Sequence, residues 1–327
     1  RQLMGNTYNC GGSSNMRFLA ILTALIAAAA SFAAVVLIRS VGSGAPQAHS
    51  LVVPLPRTTS VALQLHQPTG PNAATKVSLG IISYNLPIFE QKTKIFPSIT
   101  AKYFGWGTPF PTAQVLANHA SGTETLIVLE PRTQNMRKLA SGKYDSYLKK
   151  WATAEKSLGL PIILSFSPEA NGDWYPWGKG HVSAALYKKL FQHVHNVLIK
   201  DGAKHITWMW QVDRSSKATE ALSAIWPGRS FVNVIGLDGQ LGAKTASFNS
   251  VFGATYGQIR KFTTVPVMLS EVGVKASTSR PKQIRALFAS AHKVPLAALV
   301  FFDVGSWNFD TDTATIKAIR AAAAPKK

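Results

Sequence analysis

Two glutamates, each following a buried apolar run, are the residues of this sequence best suited to chemistry. Glu169 stands in SFSPEANGDWYPWG and Glu271 stands in VMLSEVG. Cleavage of a glycosidic bond requires one carboxylic acid that protonates the leaving oxygen and a second carboxylate that attacks the sugar or stabilises its positive charge. The two glutamates therefore indicate glycoside hydrolysis, provided that the fold brings them together.

Aromatic and polar residues close to these acids suit the recognition of a sugar. Sugars present flat C–H faces that stack on aromatic rings, and their hydroxyls need polar partners. A tryptophan at such a position can equally well pack the rim of a fold. The histidines show no metal-ligand spacing, so we expect no metal and no cofactor. We predict six substrate-binding residues: Asn171, Trp174, Trp177, Trp210, Asp238 and Trp307.

Eight short apolar runs, separated by longer amphipathic segments, follow residue 76. Near-continuous apolar runs of this length are typical of buried parallel strands. Eight strand–helix units in roughly 250 residues predict an α/β fold of the (β/α)8 TIM-barrel type, spanning residues 76–327. The predicted strands cover residues 77–83, 100–104, 125–129, 161–166, 205–210, 231–237, 265–269 and 297–302.

A parallel barrel places its chemistry at the carboxyl ends of its strands, and this rule connects the two glutamates. Glu169 follows the fourth run and Glu271 the seventh, and these strands are nearly opposite in a closed barrel of eight. Their carboxyls can approach to the roughly 5–5.5 Å of a retaining pair. Asp213, after the fifth run, is interpreted as structural. No glycine-rich phosphate loop follows any run, which excludes the common nucleotide-binding folds.

The first quarter of the chain differs in character from the rest. Residues 18–38 form a run of 21 uncharged residues bracketed by Arg17 and Arg39. At about 1.5 Å per residue, such a run spans the roughly 30 Å core of a bilayer. We predict an N-terminal extension at residues 1–17, a transmembrane signal anchor or signal peptide at 18–38, and a flexible linker at 39–75. The barrel is then expected outside the cytoplasm, membrane-anchored or secreted.

The net charge of +20 results from 35 lysines and arginines against 15 acids. A surface of this charge attracts polyanions, so we expect an anionic cell-surface polymer as one partner. The sequence has no basic run interleaved with aromatics and no recognised nucleic-acid module, and we expect no binding to nucleic acid. The single cysteine, Cys10, precedes the predicted barrel, which excludes thiol chemistry and disulfides there. We expect a monomer.

Residues 142–178, GKYDSYLKKWATAEKSLGLPIILSFSPEANGDWYPWG, resemble glycoside hydrolase family 26, a β-mannanase family of barrels with catalytic acids on strands four and seven. The segments PVMLSEVG, VIGLDG and VFFDVGSWNFD are similar to the family's strands seven, six and eight, so the resemblance extends over about residues 77–320. It implies that Glu169 is the acid/base and Glu271 the nucleophile. It also implies that three tryptophans line the sugar cleft: Trp174, Trp177 and Trp307.

Three positions depart from the pattern of that family. The family typically has an arginine and a histidine before the strand-four glutamate, in a form like R-P-x-H-E, and these positions hold Ser165 and Pro168. Strand six usually offers the nucleophile a tyrosine, where this chain has Gln240. These substitutions remove polar contacts from the sugar subsite at the cleavage point. The substrate therefore stays open between mannan, another β-linked backbone such as mixed-linkage glucan, and a bacterial exopolysaccharide.

The sequence as a whole predicts a retaining glycoside hydrolase that cleaves a β-linked polysaccharide of the β-mannan or β-glucan type by double displacement. The missing arginine and histidine favour an alternative, a non-catalytic barrel that binds or guides an exported polysaccharide. The two glutamates oppose this alternative, since a pure binder has no use for both. A second alternative is a basic, membrane-tethered adhesion protein in which the acids are incidental.

Overall fold

The structure is a computed structural model that describes residues 77–215 and 219–323. Within them, eight parallel strands pair in chain order, and the last strand pairs with the first to close a barrel. The predicted (β/α)8 barrel is confirmed. The strands are β1 Ser78–Ser83, β2 Ile99–Gly105, β3 Glu124–Glu130, β4 Ile162–Phe166, β5 Ile206–Asp213, β6 Val234–Leu241, β7 Val267–Val274 and β8 Leu296–Asp303.

Amphipathic helices connect the strands and cover the outside of the barrel. Helix Asp145–Leu158 buries Leu148, Trp151 and Ala152 on one face, and it ends at Gly159, whose φ of 65° is the left-handed conformation that terminates many helices. The helices are α1 Leu86–Thr93, α2 Thr112–Ala120, α3 Met136–Ala140, α4 Asp145–Leu158, α5 Ala184–Lys200, α6 Leu222–Ile225, α7 Ala254–Arg260, α8 Arg280–Lys293 and α9 Thr313–Ala323.

Side chains alternate between the inside of the barrel and the layer beneath the helices, as the two-residue period of a strand requires. The inside is filled by Ile82, Ile99, Ala101, Leu126, Val128, Ile163, Met209, Val234, Met268, Ala298 and Val300. Glycine is required at Gly80 and Gly236, because an added Cβ would lie 2.7 Å from Cγ2 of Val300 in the first case and 2.4 Å from Oγ of Ser270 in the second. Apolar side chains therefore fill the inside of the barrel, and polar groups lie at the ends of its strands.

The sixth and seventh strands extend farther than the sequence predicted. Both predicted strands stop before the acids that follow them, whereas β6 ends at Leu241 and β7 ends at Val274. The strands continue to pair beyond a register shift after Leu237, so that Asp238 lies opposite Glu271. Glu271 is therefore held within a strand rather than in a loop. Polar residues interrupt the apolar runs, which is why the runs alone underestimate these strands.

The predicted N-terminal extension (1–17), membrane segment (18–38) and linker (39–75) lie outside the described residues. They remain predictions. Among the helices within residues 77–215 and 219–323, none has the length and apolar character needed to cross a membrane.

Candidate active site

Glu169 follows β4 in a turn with two left-handed residues. β4 ends at Phe166, and Ser167 and Glu169 then have φ angles of 47° and 53°. Non-glycine residues in this region cost about 1–3 kcal/mol each and persist only where surrounding contacts hold them. The N–H of Ser167 donates to the carbonyl of Leu129 (3.1 Å), and that of Glu169 donates to the carbonyl of Gln211 (2.8 Å). The neighbouring strands β3 and β5 thus hold the turn that aims Glu169.

Trp174 combines an exposed aromatic face with a hydrogen bond to the same carboxyl. Its indole Nε1–H donates to Oε2 of Glu169 at 2.8 Å, while 49% of the residue is exposed. The ring lies over Gly172, where an added Cβ would be 2.3 Å from Cη2 of the indole. The absence of a side chain at Gly172 therefore lets the ring lie flat beside Glu169, where it is suited to stack on a sugar.

Glu271 receives a hydrogen bond from a residue that is not among the predicted site residues. The hydroxyl of Tyr103, on β2, donates to Oε2 of Glu271. Ile99 and Ala101 of the same strand point into the barrel, and Tyr103 follows them at the same two-residue spacing. Alternation along β2 therefore brings the phenol into the mouth. That spacing is the signal in the sequence by which Tyr103 could have been found.

The two glutamates have pKa values raised to different extents. Burial raises the pKa of Glu271 to about 6, and the hydrogen bond from Tyr103 opposes the rise, with a smaller contribution from Gln240. Burial, together with the negative charges of Asp238 and Glu271, raises the pKa of Glu169 well above its usual range. Burial and neighbouring charges therefore favour the protonated form of Glu169 more strongly than that of Glu271, which is the more readily ionised of the two. A protonated acid and an ionised carboxylate are the forms that a general acid and a nucleophile require.

Three carboxyls lie side by side on neighbouring strands. Asp213 of β5 is in register with Asp238 of β6, which is in register with Glu271 of β7. Neighbouring strands are about 4.8 Å apart, so carboxyls in register influence one another's ionisation in a partly dry site. Burial raises the pKa of Asp213 to about 6, and burial with the charge of Glu271 raises the pKa of Asp238 well above normal. Asp213, interpreted from sequence as structural, therefore belongs to the electrostatics of the mouth.

Asp238 takes part in a buried hydrogen-bond network beside the glutamates. Its Oδ2 accepts a hydrogen bond from Nε2 of Gln211 and its Oδ1 accepts one from Oγ of Ser270, both at 2.6 Å. Both oxygens are occupied by protein donors, and the residue is completely buried. We predicted that Asp238 binds substrate, whereas the structure places it in a buried network that joins β5, β6 and β7.

Two more predicted substrate-binding residues are buried in the loop after β4. Nδ2 of Asn171 donates to the carbonyl of Asp213 (2.7 Å), and its Oδ1 accepts from the N–H of Asp213 (3.0 Å). Nε1 of Trp177 donates to the carbonyl of Pro168 (2.7 Å), and its ring stacks on Tyr175 with centroids 4.5 Å apart. Both side chains brace the loop and neither reaches the cleft surface.

Trp210 lies on the outer side of β5. Its neighbours Met209 and Gln211 point inward, so alternation directs Trp210 towards the helices. It is completely buried and packs edge-on against Trp226 with ring centroids 5.0 Å apart. Its position near a strand end suggested a substrate contact, but the alternation of the strand turns it away from the mouth.

Trp307 and Gln240 border the nucleophile. A Cβ added to Gly273 would lie 2.9 Å from Cγ of Gln240 and 3.0 Å from Cδ2 of Trp307. Gly273 is two residues beyond Glu271 on β7, so both side chains lie beside that carboxylate. Of the six predicted substrate-binding residues, the structure leaves Trp174 and Trp307 accessible at the mouth.

A charged network on the side of β3 was not predicted. Glu130, the last residue of β3, accepts two hydrogen bonds of 2.8 Å from Arg132. The guanidinium lies 4.7 Å from the ring centroid of Tyr175. The acid that ends β3 in the segment VLEPR is the signal by which this network could have been recognised.

The positions that depart from the family pattern contribute no charge to the mouth. Ser165 is completely buried, and its hydroxyl has no hydrogen-bond partner among residues 77–215 and 219–323. Pro168 contributes its carbonyl to the bond from Trp177. The polar support of the glutamates therefore comes from other strands, through Tyr103 and Gln211.

Known proteins similar in sequence to this chain are named as an endoglucanase and as mannan endo-1,4-beta-mannosidases. The family model described as glycosyl hydrolase family 26 matches residues 99–322. The chain is 28% identical over 188 residues to endoglucanase H of Acetivibrio thermocellus, which covers 53% of this chain and 21% of that protein. It is 25% identical over 171 residues to a mannan endo-1,4-beta-mannosidase of Bacillus subtilis, covering 50% of this chain and 43% of that protein. The chain thus matches less than half the length of these relatives.

Solved structures share the barrel. An endo-beta-1,4-mannanase of Cellulomonas fimi has a TM-score of 0.62 at 16% identity, over 77% of this chain and 71% of that one. A mannanase of Bacillus subtilis has a TM-score of 0.59 at 18% identity, over 74% and 83% of the two chains. The family model, in contrast, matches most of the barrel in sequence and includes both glutamates. The chain belongs to glycosyl hydrolase family 26, a family of glycosidases.

Proposed function

We propose that this chain is a retaining glycoside hydrolase that cleaves a β-linked polysaccharide of the β-mannan or β-glucan type. The observation that carries the proposal is the pair of glutamates on strands four and seven. Burial raises the pKa of Glu271 to about 6, and burial with the charges of Asp238 and Glu271 raises the pKa of Glu169 well above its usual range. The relatives named as a mannosidase and an endoglucanase support the substrate class.

The geometry supports a double displacement. Glu271 attacks the anomeric carbon, while Glu169 gives its proton to the glycosidic oxygen and the aglycone leaves as an alcohol. Glu169, now a carboxylate, then takes a proton from a water molecule, which attacks the anomeric carbon and releases Glu271. Tyr103 stabilises the charge on Glu271 before the attack and after the release.

The accessible aromatic rings support a polymeric substrate. Trp174 lies beside the acid/base and Trp307 lies beside the nucleophile, so the two rings flank the point of cleavage. Rings on both sides can stack on sugars of the glycone and of the aglycone.

Glu271→Ala and Glu169→Ala, assayed for reducing-sugar release from β-mannan and mixed-linkage β-glucan, test the proposal. We expect both variants to lose hydrolysis. Glu90→Ala, which removes a carboxyl of α1 that has no part in the proposed mechanism, is the matched control and should retain it. NMR of the first-formed product should detect the β-anomer. Full turnover by Glu271→Ala, or release of the α-anomer, would contradict the mechanism.

A barrel that binds or guides an exported polysaccharide without cutting it is the second candidate. The replacements at Ser165 and Pro168 favour it, because they leave the cleavage point without the arginine and histidine of the family pattern. If the protein is such a non-catalytic barrel, the wild-type protein binds glycans of the same panel and no reducing ends appear. The assay therefore distinguishes the two candidates.

A further inference from the structure

Between the ends of β6 and β7 the structure contains a cavity of about 140 Å³. Residues 241–244 and 275–277 line it, together with Gln283 of α8. Lys244 and Lys275 are both part of the lining, which contains no acidic residue. A cavity with two cations differs sharply from the rest of the mouth, where carboxylates predominate.

The positive charge of these lysines is available to a ligand. Both side chains are exposed, and neither has an ion-pair partner in the part of the chain that the structure describes. Arg132, another cation near the mouth, is neutralised by Glu130. The two lysines are therefore suited to receive a negative group from outside the protein.

Hydrogen bonds hold the walls of the cavity in place. The N–H of Lys275 donates to the carbonyl of Leu241 at 3.1 Å. Nε2 of Gln283 donates to the carbonyl of Ala243 at 2.9 Å. Helix α8 begins at Arg280, close to the same wall, and the positive end of its dipole adds to the local potential. Because the backbone is braced already, binding orders little more than the two lysine side chains.

The cavity lies beyond Glu271 along the chain, where β7 ends. Lys275 is four residues beyond Glu271, about 13 Å at the rise of a strand. Gly273 lies between them and is covered by Trp307 and Gln240. A glycan that stacks on Trp307 would therefore bring the substituents of a neighbouring sugar towards Lys275.

We propose that this cavity, here called the lysine pocket and defined by Lys244 and Lys275, binds an acidic substituent of the glycan, a carboxylate or a similar anion. The inference rests on the proposed function and specifies its substrate as an acidic β-linked polysaccharide. A neutral chain would leave both cations of the lysine pocket without a partner. The net charge of +20 also favours the approach of an acidic polymer.

A pair of probes that differ only in charge tests the lysine pocket. The acidic probe is a set of β-mannan oligosaccharides whose primary hydroxymethyl groups are oxidised to carboxylates, and the neutral probe is the parent set. Calorimetry with Glu271→Gln measures binding without turnover at low ionic strength. We expect the acidic probe to bind about fivefold to tenfold more tightly. The double variant Lys244→Ala/Lys275→Ala should reduce this ratio to about one.

The control separates the lysine pocket from the overall charge of the protein. Lys149→Ala/Lys150→Ala removes the same charge from the exposed side of α4 and should keep the preference. Sodium chloride should weaken it. Sodium acetate at equal ionic strength should weaken the preference for the acidic probe no more than sodium chloride does, if the carboxylate binds as part of a glycan. Equal affinity for both probes, or an equal loss in both double variants, would overturn the proposal.

Turnover by the wild-type protein distinguishes failure of the lysine pocket from failure of the proposed function. Hydrolysis of β-mannan with no preference for the acidic probe would keep the enzyme and reject the lysine pocket. Preference for the acidic probe with no hydrolysis of any glycan would keep the lysine pocket and reject the enzyme.

Discussion

The hydroxyl of Tyr103 on β2 donates a hydrogen bond to the carboxylate of Glu271 on β7, across the mouth of the barrel. In the family pattern the corresponding tyrosine comes from strand six, where this chain has Gln240. A donor from another strand has the same electrostatic effect. Its hydrogen bond stabilises the ionised glutamate and opposes the increase in pKa that burial causes. The hydrogen bond to the nucleophile is thus provided from a different position in the sequence.

Tyr103→Phe should impair catalysis most at low pH. The substitution removes a hydrogen bond that lowers the pKa of Glu271, so the nucleophile will protonate at a higher pH. We expect kcat/KM near pH 6 to fall about tenfold to a hundredfold, the effect of losing one hydrogen bond to a charged group. The acidic limb of the pH–rate profile should move to higher pH. Tyr84→Phe, at an exposed position, is the control; an unshifted limb in Tyr103→Phe would refute this role.

Trp174→Phe should affect the opposite limb of the same profile. The indole N–H lowers the pKa of Glu169, and phenylalanine keeps an aromatic face without that donor. The acid/base should then stay protonated to a higher pH, and the alkaline limb should move to higher pH. The acidic limb, which reports Glu271, should not move. A shift of both limbs together would indicate a general disturbance of the site instead.

Trp210 and Trp307, two of the four tryptophans predicted from sequence to bind substrate, should respond to substitution in different ways. Trp210→Ala removes a buried ring beneath the helices and should lower the free energy of unfolding by about 3–5 kcal/mol. Its KM should stay near the wild-type value in the folded protein. Trp307→Ala removes a half-buried ring at the mouth and should raise KM with little loss of stability. Chemical denaturation and substrate-saturation curves measure the two effects, and equal KM changes would contradict the assignment.

Glu124, at the start of β3, should destabilise the fold at high pH. Burial raises its pKa to about 7, and its Oε2 has no hydrogen-bond partner among the described residues. A carboxyl with a raised folded pKa contributes stability while protonated and loses that contribution as pH rises, here from 4.5 to about 7. Glu124→Gln should therefore raise the free energy of unfolding at alkaline pH by about 1–3 kcal/mol. Urea unfolding at several pH values checks this; the same pH dependence in both proteins would contradict it.

The barrel could be predicted because its strands are buried on both faces and read as apolar runs. Glu169 could be located for the same reason, since it follows such a run directly. The extent of β6 and β7 could not, because their last residues are polar and pair with each other beyond a register shift. The apolar runs therefore located the strands better than they located the strand ends.

The supporting residues of the site were harder to predict than the glutamates. Tyr103 reaches the site through the alternation of side chains along β2, and Asp213 reaches it through its register with Asp238 of β6. Alternation and register both depend on the residue at which a strand begins. Asn171 and Trp177 were predicted to touch the substrate because of their types, yet their polar atoms are used within the loop after β4. Residue type indicated which side chains could bind a sugar, but only the three-dimensional structure separates those that reach the cleft.

The left-handed backbone of Glu169 places stability and activity in conflict at one position. Glycine adopts that conformation without strain, and it would also remove a buried carboxyl whose ionised form is disfavoured. Glu169→Gly is therefore expected to be inactive and yet to resist thermal unfolding at least as well as the native chain. A search for heat-resistant variants that ignores turnover would favour loss of the acid/base, so every round of such a search needs an activity screen.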